Sequence, residues 1–194
     1  MLDESARNLL FRDARSQNGF LNKPVDETVL CELYDLLKFG PTSANCSPLR
    51  IVFLCSDVAK ERLLPALSPG NIDKTRSAPV VAVLGYDTRF FRYAQQLFPH
   101  RPAMYDSFAT DPMLAQETAF RNSSLQAAYF MMAARAFELD CGPMSGFDRA
   151  KVTQLFFPEG DVEVNFLCNL GYGDARKLFP RLPRLAFAQA CSVM

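Results

Sequence analysis

The chain has 194 residues, 49% of them apolar, which is enough for a sizeable core, and we expect residues 1–194 to form a single domain. Its 21 basic and 21 acidic residues cancel. This balance excludes a global field that would attract nucleic acid or an acidic membrane surface, so the expected partners are small molecules or another protein chain.

The N-terminal sequence and the cysteines bear on the compartment. The first residues, MLDESARNLLFRDARS, contain no apolar signal segment, and no stretch reaches the roughly 18 apolar residues of a membrane span. The six cysteines include no CxxC pair. Four of them lie within or beside apolar runs and are predicted to be small core residues: Cys31, Cys55, Cys168 and Cys191. We therefore expect a reduced, cytoplasmic protein.

The chain has one histidine, His100, in the proline-flanked loop FPHRP. A zinc site or a histidine-activated nucleophile needs further ligands or an orienting partner, and the sequence offers none beside it. We expect no metal site, and we predict that a cofactor carries the chemistry.

Helices and strands are predicted to alternate along the chain. Asp26 is a candidate N-cap for a helix over 27–38, and Gly40 suits the left-handed position that ends a helix. Short apolar, β-branched runs predict buried strands at 50–55, 78–86 and 164–172. The segment 112–140 has no internal glycine or proline and predicts a long central helix. This alternation indicates an α+β fold, an α/β sandwich in which helices flank a sheet.

Two segments are open to more than one interpretation. The loop from Pro99 to Pro112 carries three prolines and few helical signals, which is typical of a mobile lid or binding loop. The tail from Lys177 onward is apolar but broken by Pro180 and Pro183. It either packs loosely on its own subunit or crosses to a partner as an arm, and the pattern favours neither.

Two stretches are rich in small polar residues. FGPTSANCSP, at 39–48, offers the short neutral side chains of Thr42, Ser43, Asn45 and Ser47, which suit a polyol or a heteroaromatic edge because they donate and accept without burying charge. DCGPMSGFD, at 140–148, places Pro143, Met144 and Ser145 between Gly142 and Gly146. Glycines let a backbone approach a flat ligand and direct amide N–H groups at it.

Basic and polar residues near predicted element ends complete the candidate site: Arg15, Ser16, Asn18, Asn71, Lys74, Lys177, Arg181 and Arg184. Arginine pairs with phosphate oxygens in a bidentate manner and lysine supplies a point charge. Around two neutral polar loops, such cations favour a phosphorylated polyol cofactor. GYGDAR, at 171–176, lacks the third glycine of a dinucleotide-binding motif and is interpreted as a strand-end turn.

In order and spacing, the segments ARSQNGF, GPTSANCSP, GNIDK, GPMSGFD, NLGYG and RLPR resemble the nitroreductase-like flavoproteins over nearly the whole chain. The strings GPTSANCSP, ETAFRNSS and GPMSGFDR are most similar to the subgroup that contains malonic semialdehyde reductase (3-hydroxypropanoate dehydrogenase) of pyrimidine utilisation. The resemblance implies a central, mostly antiparallel sheet flanked by helices. It also implies an FMN-binding homodimer formed through the central helix and an exchanged C-terminal arm.

The resemblance further assigns site residues. The segment Thr42–Ser47 is expected to line the flavin from one subunit, and Pro143–Gly146 from the other, with a backbone N–H directed at flavin N5. Residues matching Ser16, Asn71 and Lys74 are expected to touch the phosphate, ribityl chain or pyrimidine edge. Cations matching Lys177 and Arg181, with Arg184 nearby, are expected to approach the phosphate.

Two departures from the family pattern affect these assignments. Many relatives carry basic residues on both sides of the first serine, where this chain has Ala14 and Asn18 and leaves Arg15 as the nearest cation. Lys74 is then expected to supply more of the positive charge that favours a reduced flavin. Ser47 replaces a common glutamine and shortens the reach toward the flavin. Cys46 in the same loop is interpreted as a passive small residue.

The implied reaction is a ping-pong cycle with NADH or NADPH as co-substrate. The first-choice substrate is malonic semialdehyde, whose carboxylate requires a cation, and Arg121 and Arg101 are the candidates. A broad nitro, quinone or enone reductase is the alternative within the same chemistry. A flavin carrier, a sensor or a dimeric scaffold without turnover is the alternative from another class.

Overall fold

The computed structural model describes every residue from Met1 to Met194. Its centre is an antiparallel sheet of four strands: β1 (Leu49–Leu54), β2 (Val80–Asp87), β3 (Asp140–Met144) and β4 (Val162–Gly171). The strands lie in the order β1-β2-β4-β3, so β1 and β3 are the two edges. The three predicted strands are confirmed to within two residues at each end, and the predicted α+β architecture is confirmed.

Nine α-helices surround the sheet: α1 (Glu4–Arg7), α2 (Glu27–Leu37), α3 (Asp57–Leu63), α4 (Pro69–Ser77), α5 (Ala94–Leu97), α6 (Asp106–Thr110), α7 (Pro112–Ala136), α8 (Arg149–Phe156) and α9 (Phe187–Ala190). Short 3-10 turns lie between several of them, and a π-turn extends α1 over Asn8–Arg12. The predicted cap of α2 is confirmed, because the Asp26 carboxylate accepts a hydrogen bond from the backbone N–H of Thr28 at 2.9 Å. No helix is long and apolar enough to cross a membrane.

The sheet is buried on both faces. Alternate residues of β2 point to opposite sides, as the period of a strand requires. Val80, Ala82 and Leu84 join the core beneath α2 and α7, whereas Val81 and Val83 join the core beneath α3, α4 and α8. The free backbone hydrogen-bonding groups of the sheet lie along its edges, because an edge strand has a neighbouring strand on one side only.

The central helix α7 crosses one face of the sheet. The Asp111 side chain caps it by accepting from the backbone N–H groups of Met113 and Leu114 at 3.1 and 3.0 Å. Its 25 residues make it about 38 Å long at the usual rise. The prediction that it reaches residue 140 was wrong, because the backbone turns at Glu138, with φ of +59°, and enters β3.

Several other predictions are corrected. The stretch 140–148 was expected to be a loop, but its first five residues form the edge strand β3; an edge position tolerates Pro143 because one side of the strand needs no N–H donor. Gly40 does not adopt a left-handed conformation. Position 40 instead requires a residue without a side chain, because a Cβ there would lie 2.7 Å from the ring of Tyr129. Of the four cysteines expected in the core, only Cys168 is buried, and Cys31, Cys55 and Cys191 are exposed.

The segment from Pro99 to Pro112 is more ordered than predicted. It forms a 3-10 turn over Pro102–Tyr105 followed by α6. Tyr105 and Phe108 pack there against Phe90, with ring centroids 5.9 and 5.0 Å from that of Phe90. Proline broke the helical pattern in the sequence, but the aromatic residues supply a third small core that holds the segment in place.

The C-terminal tail makes few contacts with its own chain. Every residue from Phe179 to Met194 is exposed, including a set of large apolar side chains: Phe179, Leu182, Leu185, Phe187 and Val193. A tail of this composition leaves apolar surface in water unless another surface covers it.

The end of β4 offers a test of the packing. A Cβ at Gly171 would lie 2.3 Å from Cγ of Pro79, so Gly171→Ala is expected to lower the free energy of unfolding by about 1–3 kcal/mol or more through overpacking. Gly70 in α4 has no atom within 4 Å of the same position, so the matched control Gly70→Ala is expected to leave stability unchanged or to raise it by up to about 1 kcal/mol. Urea unfolding of both variants measures the difference, and equal stabilities would contradict the packing described.

Candidate functional site

One group of predicted site residues gathers around β3. The segment that contains Arg15 and Ser16 runs beside this edge strand, because the backbone N–H of Gln17 donates to the carbonyl of Cys141 at 2.9 Å. Arg15 and Ser16 thereby line one cavity of about 180 Å³ together with Pro143. Ala14 lines the same cavity and brings no charge to it.

The residues after β3 meet the N-terminal half of α4. The Asn71 side-chain amide donates to the carbonyl of Gly146 at 2.7 Å, and a Cβ at Gly146 would lie 2.7 Å from that amide nitrogen. Gly146 is therefore required by close approach. The backbone N–H groups of Ser145 and Gly146 make no hydrogen bond within the chain. Two such donors at the end of an edge strand are available to an acceptor on a bound molecule.

Lys74 lies one turn after Asn71 on α4 and is partly buried. Burial lowers the pKa of its ammonium group, and no carboxylate pairs with it. A partly buried cation without a counter-ion favours an anionic or electron-rich group beside it, because such a group offsets the cost of desolvation.

The tail cations approach the same segment. Arg181 donates to the carbonyls of Arg12 and Ala14 at 2.6 and 3.0 Å, and Arg15 donates to the carbonyl of Phe179 at 2.5 Å. The stem of Lys177 packs against Gly19, where a Cβ would lie 2.7 Å from Lys177 Cγ. These three cations are brought together.

Two other predicted residues are less closely tied to this group. The Asn18 side chain is partly buried and makes no hydrogen bond. Arg184 is exposed and hydrogen-bonds only the neighbouring carbonyls of Leu182 and Pro183, so the structure does not bring it to the others.

The second group of predicted site residues forms the polar loop, residues 42–47. The loop contains three non-glycine residues in the left-handed region: Ala44, Asn45 and Ser47, with φ of +47°, +55° and +38°. Two of its side chains form hydrogen bonds that hold the loop in this conformation. The Thr42 hydroxyl accepts from the backbone N–H of Ser47 at 3.2 Å, and the Asn45 amide donates to the carbonyl of Leu97 at 2.8 Å. The hydroxyls of Ser43 and Ser47 make no hydrogen bond and are free.

Sequence reasoning missed the residues that support this loop from below. Asn122 and Gln126 of α7 accept from the backbone N–H groups of Ser43 and Leu49, at 2.8 and 3.0 Å. The signal in the sequence was their spacing of four, which places two amides on one buried face of a helix. Tyr105 also supports the loop, and no local pattern marked it.

A buried ion-pair network lies next to the polar loop. The carboxylate of Asp87 is fully buried and pairs with Arg50 at 2.7 Å and Arg92 at 3.1 Å. Arg50 also donates to the carbonyl of Ser47 at 3.1 Å. These groups were not predicted, and each cation there is already paired, so the network supports the loop and is not available for a ligand.

Cys46 is buried within the polar loop. Burial raises the pKa of its thiol to about 11, so the group stays protonated at neutral pH. A neutral thiol is a poor nucleophile and a poor redox partner. The interpretation of Cys46 as a passive residue agrees with this environment.

The two arginines considered for a substrate carboxylate differ in their surroundings. Arg121 forms an exposed ion pair with Glu117, one turn earlier on α7. Arg101 precedes the 3-10 turn Pro102–Tyr105, is exposed and makes no ion pair. No cluster of three or more histidine, cysteine or acidic side chains suited to a metal ion is present.

The two groups lie at opposite edges of the sheet. The polar loop leads into β1, and Pro143–Gly146 ends and follows β3, so three strand intervals separate them. At about 4.8 Å an interval, the two edge strands lie about 14 Å apart. Within one chain, the two groups therefore do not face each other across a single cleft.

A model of the nitroreductase family matches residues 12–172 of this chain. A protein of Cupriavidus pinatubonensis, provisionally named an NADH dehydrogenase/NAD(P)H nitroreductase, is 54% identical over 186 residues, which cover 95% of each sequence. The chain belongs to the nitroreductase family.

Solved structures agree on the fold. A provisionally named nitroreductase of Bacillus subtilis has a TM-score of 0.87 at 22% identity, covering 99% of this chain and 100% of its own. A provisionally named nitroreductase of Exiguobacterium sibiricum, solved in complex with FMN, has a TM-score of 0.88 at 16% identity, covering 100% of this chain and 99% of its own. The predicted nitroreductase-like fold is confirmed.

Proposed function

We propose that the chain is an FMN-dependent NAD(P)H oxidoreductase whose substrate is malonic semialdehyde, reduced to 3-hydroxypropanoate. The observation that carries the cofactor assignment is the group around β3. There, free backbone N–H donors at Ser145 and Gly146 lie beside Asn71 and close to Lys74, a partly buried cation without a counter-ion. Family membership supports the oxidoreductase class, and the FMN complex of the Exiguobacterium sibiricum protein supports the choice of cofactor.

The residues present fit the chemistry of FMN. Its phosphate requires cations, which Arg15, Lys177 and Arg181 supply near the N-terminal segment. Its ring has acceptor atoms at one edge, which suit the free N–H donors after β3 and the charge of Lys74. Its polyol chain suits neutral hydroxyls and amides such as Ser16 and Asn71.

Bound FMN would supply the hydride chemistry, accepting from NADH or NADPH and giving to the substrate. The chain's own residues bind and orient the reactants. The free N–H groups of Ser145 and Gly146 fix the acceptor edge of the cofactor, and Lys74 stabilises negative charge that develops nearby. Hydride addition to the aldehyde carbon leaves an alkoxide, and solvent water would supply the proton that completes the alcohol.

A carboxylate-bearing aldehyde requires one more cation. Arg101 has no partner, and its segment packs against the polar loop, since the Asn45 amide donates to the carbonyl of Leu97. Arg121 is already paired with Glu117. Arg101 is therefore the better candidate for the substrate carboxylate.

A second function is favoured by a specific observation. The Cupriavidus pinatubonensis relative carries a nitroreductase name, and an open flavin face accepts many flat electron acceptors. A broad nitro, quinone or enone reductase is the alternative. A flavin carrier without turnover is disfavoured, because it would leave Arg101 without a role.

The assembly we propose is a homodimer. A groove of about 760 Å³ lies along the free edge of β1, lined by apolar residues of α2 and β1, among them Leu30, Tyr34, Ile51 and Phe53. Its acidic residue Glu27, which makes no ion pair, complements a basic segment. The exposed, apolar and basic tail beyond Phe179 of a second copy matches both properties. Such a pairing, with contacts through α7, would bring one chain's polar loop toward the other chain's β3 group.

The absorbance spectrum of the purified protein tests the function. We expect a bound flavin spectrum that NADH or NADPH bleaches without oxygen and that malonic semialdehyde restores. Restoration only by a nitroaromatic or a quinone would favour the alternative reductase. A colourless protein that does not bind added FMN would contradict both functions.

Substrate kinetics test the carboxylate site. Replacing Arg101 by Ala is expected to raise KM for malonic semialdehyde about 10-fold to 100-fold, because a charged hydrogen bond is lost, and to leave the KM of an uncharged quinone unchanged. Arg121→Ala is the matched control and is expected to change neither value. An unchanged KM for the semialdehyde in Arg101→Ala would refute the assignment.

Sedimentation tests the assembly. Deleting residues 185–194, which keeps Lys177 and Arg181, is expected to weaken the dimer at least tenfold because the apolar end of the arm is lost. Removing the exposed residues 1–2 is the control and is expected to leave the dimer intact. A monomeric full-length protein, or a dimer that the C-terminal deletion does not weaken, would count against the arm.

A further inference from the structure

The polar loop has an unfavourable backbone conformation for its sequence. Ala44, Asn45 and Ser47 all lie in the left-handed region, where the side chain of an L-residue is crowded by its own backbone. Asparagine tolerates this region, but alanine has no side-chain hydrogen bond to offset the cost. An isolated loop of this sequence would therefore relax to other conformations, so contacts outside the loop must hold Ala44.

One side chain bonds directly to that residue. The hydroxyl of Tyr105 donates to the carbonyl of Ala44 at 2.8 Å. Tyr105 is only 2% exposed, and its ring packs edge-on against Phe90 and Phe108, with both centroids at 5.9 Å. The hydroxyl thus projects from a packed aromatic cluster toward Ala44, the one alanine of the loop.

The hydrogen bond is well suited to a permanent structural role. Burial raises the pKa of the Tyr105 phenol to about 12, so its hydroxyl remains a donor throughout the physiological range. The neighbouring residue is held in the same way, because the Asn45 amide donates to the carbonyl of Leu97. Leu97 and Tyr105 lie in one segment, residues 94–105. The region between β2 and α7 therefore holds the loop at two successive residues.

We propose that Tyr105 is a positioning residue that holds the polar loop in its left-handed conformation before the cofactor binds. The inference rests on the proposed function, since the loop is one of the two groups assigned to FMN. A preformed loop binds without the loss of conformational freedom that an unstructured loop would undergo. Without the hydroxyl, the loop relaxes, and part of the binding free energy is consumed in restoring it.

The test uses Tyr105→Phe, which removes one oxygen atom and keeps the ring in its cluster. Hydrogen exchange of the cofactor-free protein is expected to become at least tenfold faster at the amides of residues 43–47, because the Ala44 carbonyl is released. The Kd for FMN is expected to rise about tenfold, with the melting temperature of the cofactor-free protein nearly unchanged. The matched control is Tyr172→Phe, because the Tyr172 hydroxyl makes no hydrogen bond. This variant is expected to change neither the exchange rates nor the Kd for FMN.

A second variant separates positioning from a general loss of packing. Glycine adopts the left-handed region readily, so adding Ala44→Gly to Tyr105→Phe is expected to recover at least half of the lost FMN affinity. Unchanged exchange or unchanged FMN affinity in Tyr105→Phe would overturn the inference, as would a complete failure of this rescue. If the natural protein binds no FMN, the proposed cofactor is wrong, and exchange in the cofactor-free variants alone decides whether Tyr105 holds the loop.

Discussion

The covering of both sheet faces by helices is the constraint on which the site depends. With α2 and α7 on one face and α3, α4 and α8 on the other, most of the sheet surface is buried in two cores. Only the edge strands β1 and β3 carry backbone groups that are free of the ladder. The polar loop and the Pro143–Gly146 segment are attached to these two edges. In the proposed homodimer, each chain would contribute one of these two groups to a shared cofactor site.

The two half-sites differ in their chemistry. The group around β3 is electropositive, with free N–H donors and with Lys74 lacking a counter-ion. The polar loop carries no charged side chain, and the nearby cations Arg50 and Arg92 are both paired with Asp87. A molecule that is anionic at one end and has hydrogen-bonding groups along a flat ring matches this asymmetry. The group around β3 suits the anionic end of such a molecule, and the polar loop suits the edge of its ring.

Sequence patterns predicted the elements that depend on local chemistry. The cap at Asp26, the apolar runs of three strands and the core of α7 were all visible, because capping and burial leave regular signals. Features that depend on contacts between residues far apart in the sequence were not visible. Gly40 is explained by the Tyr129 ring, and β3 by pairing with β4, which its Gly-Pro sequence does not suggest. Residue composition identified the two polar segments, and the family resemblance assigned them to a flavin. The residues that support the polar loop, Asn122, Gln126 and Tyr105, come from elsewhere in the chain.

The tail and the segment that contains Ala14 and Arg15 hold each other in place. Arg181 of the tail donates to the carbonyls of Arg12 and Ala14. Arg15 in turn donates to the carbonyl of Phe179, so each segment holds the other. The same tail then continues as the exposed apolar arm. In the proposed homodimer, the cations assigned to the phosphate and the arm assigned to the partner would belong to one covalent segment. Displacing the arm would then also displace the cations, so cofactor affinity would be coupled to assembly.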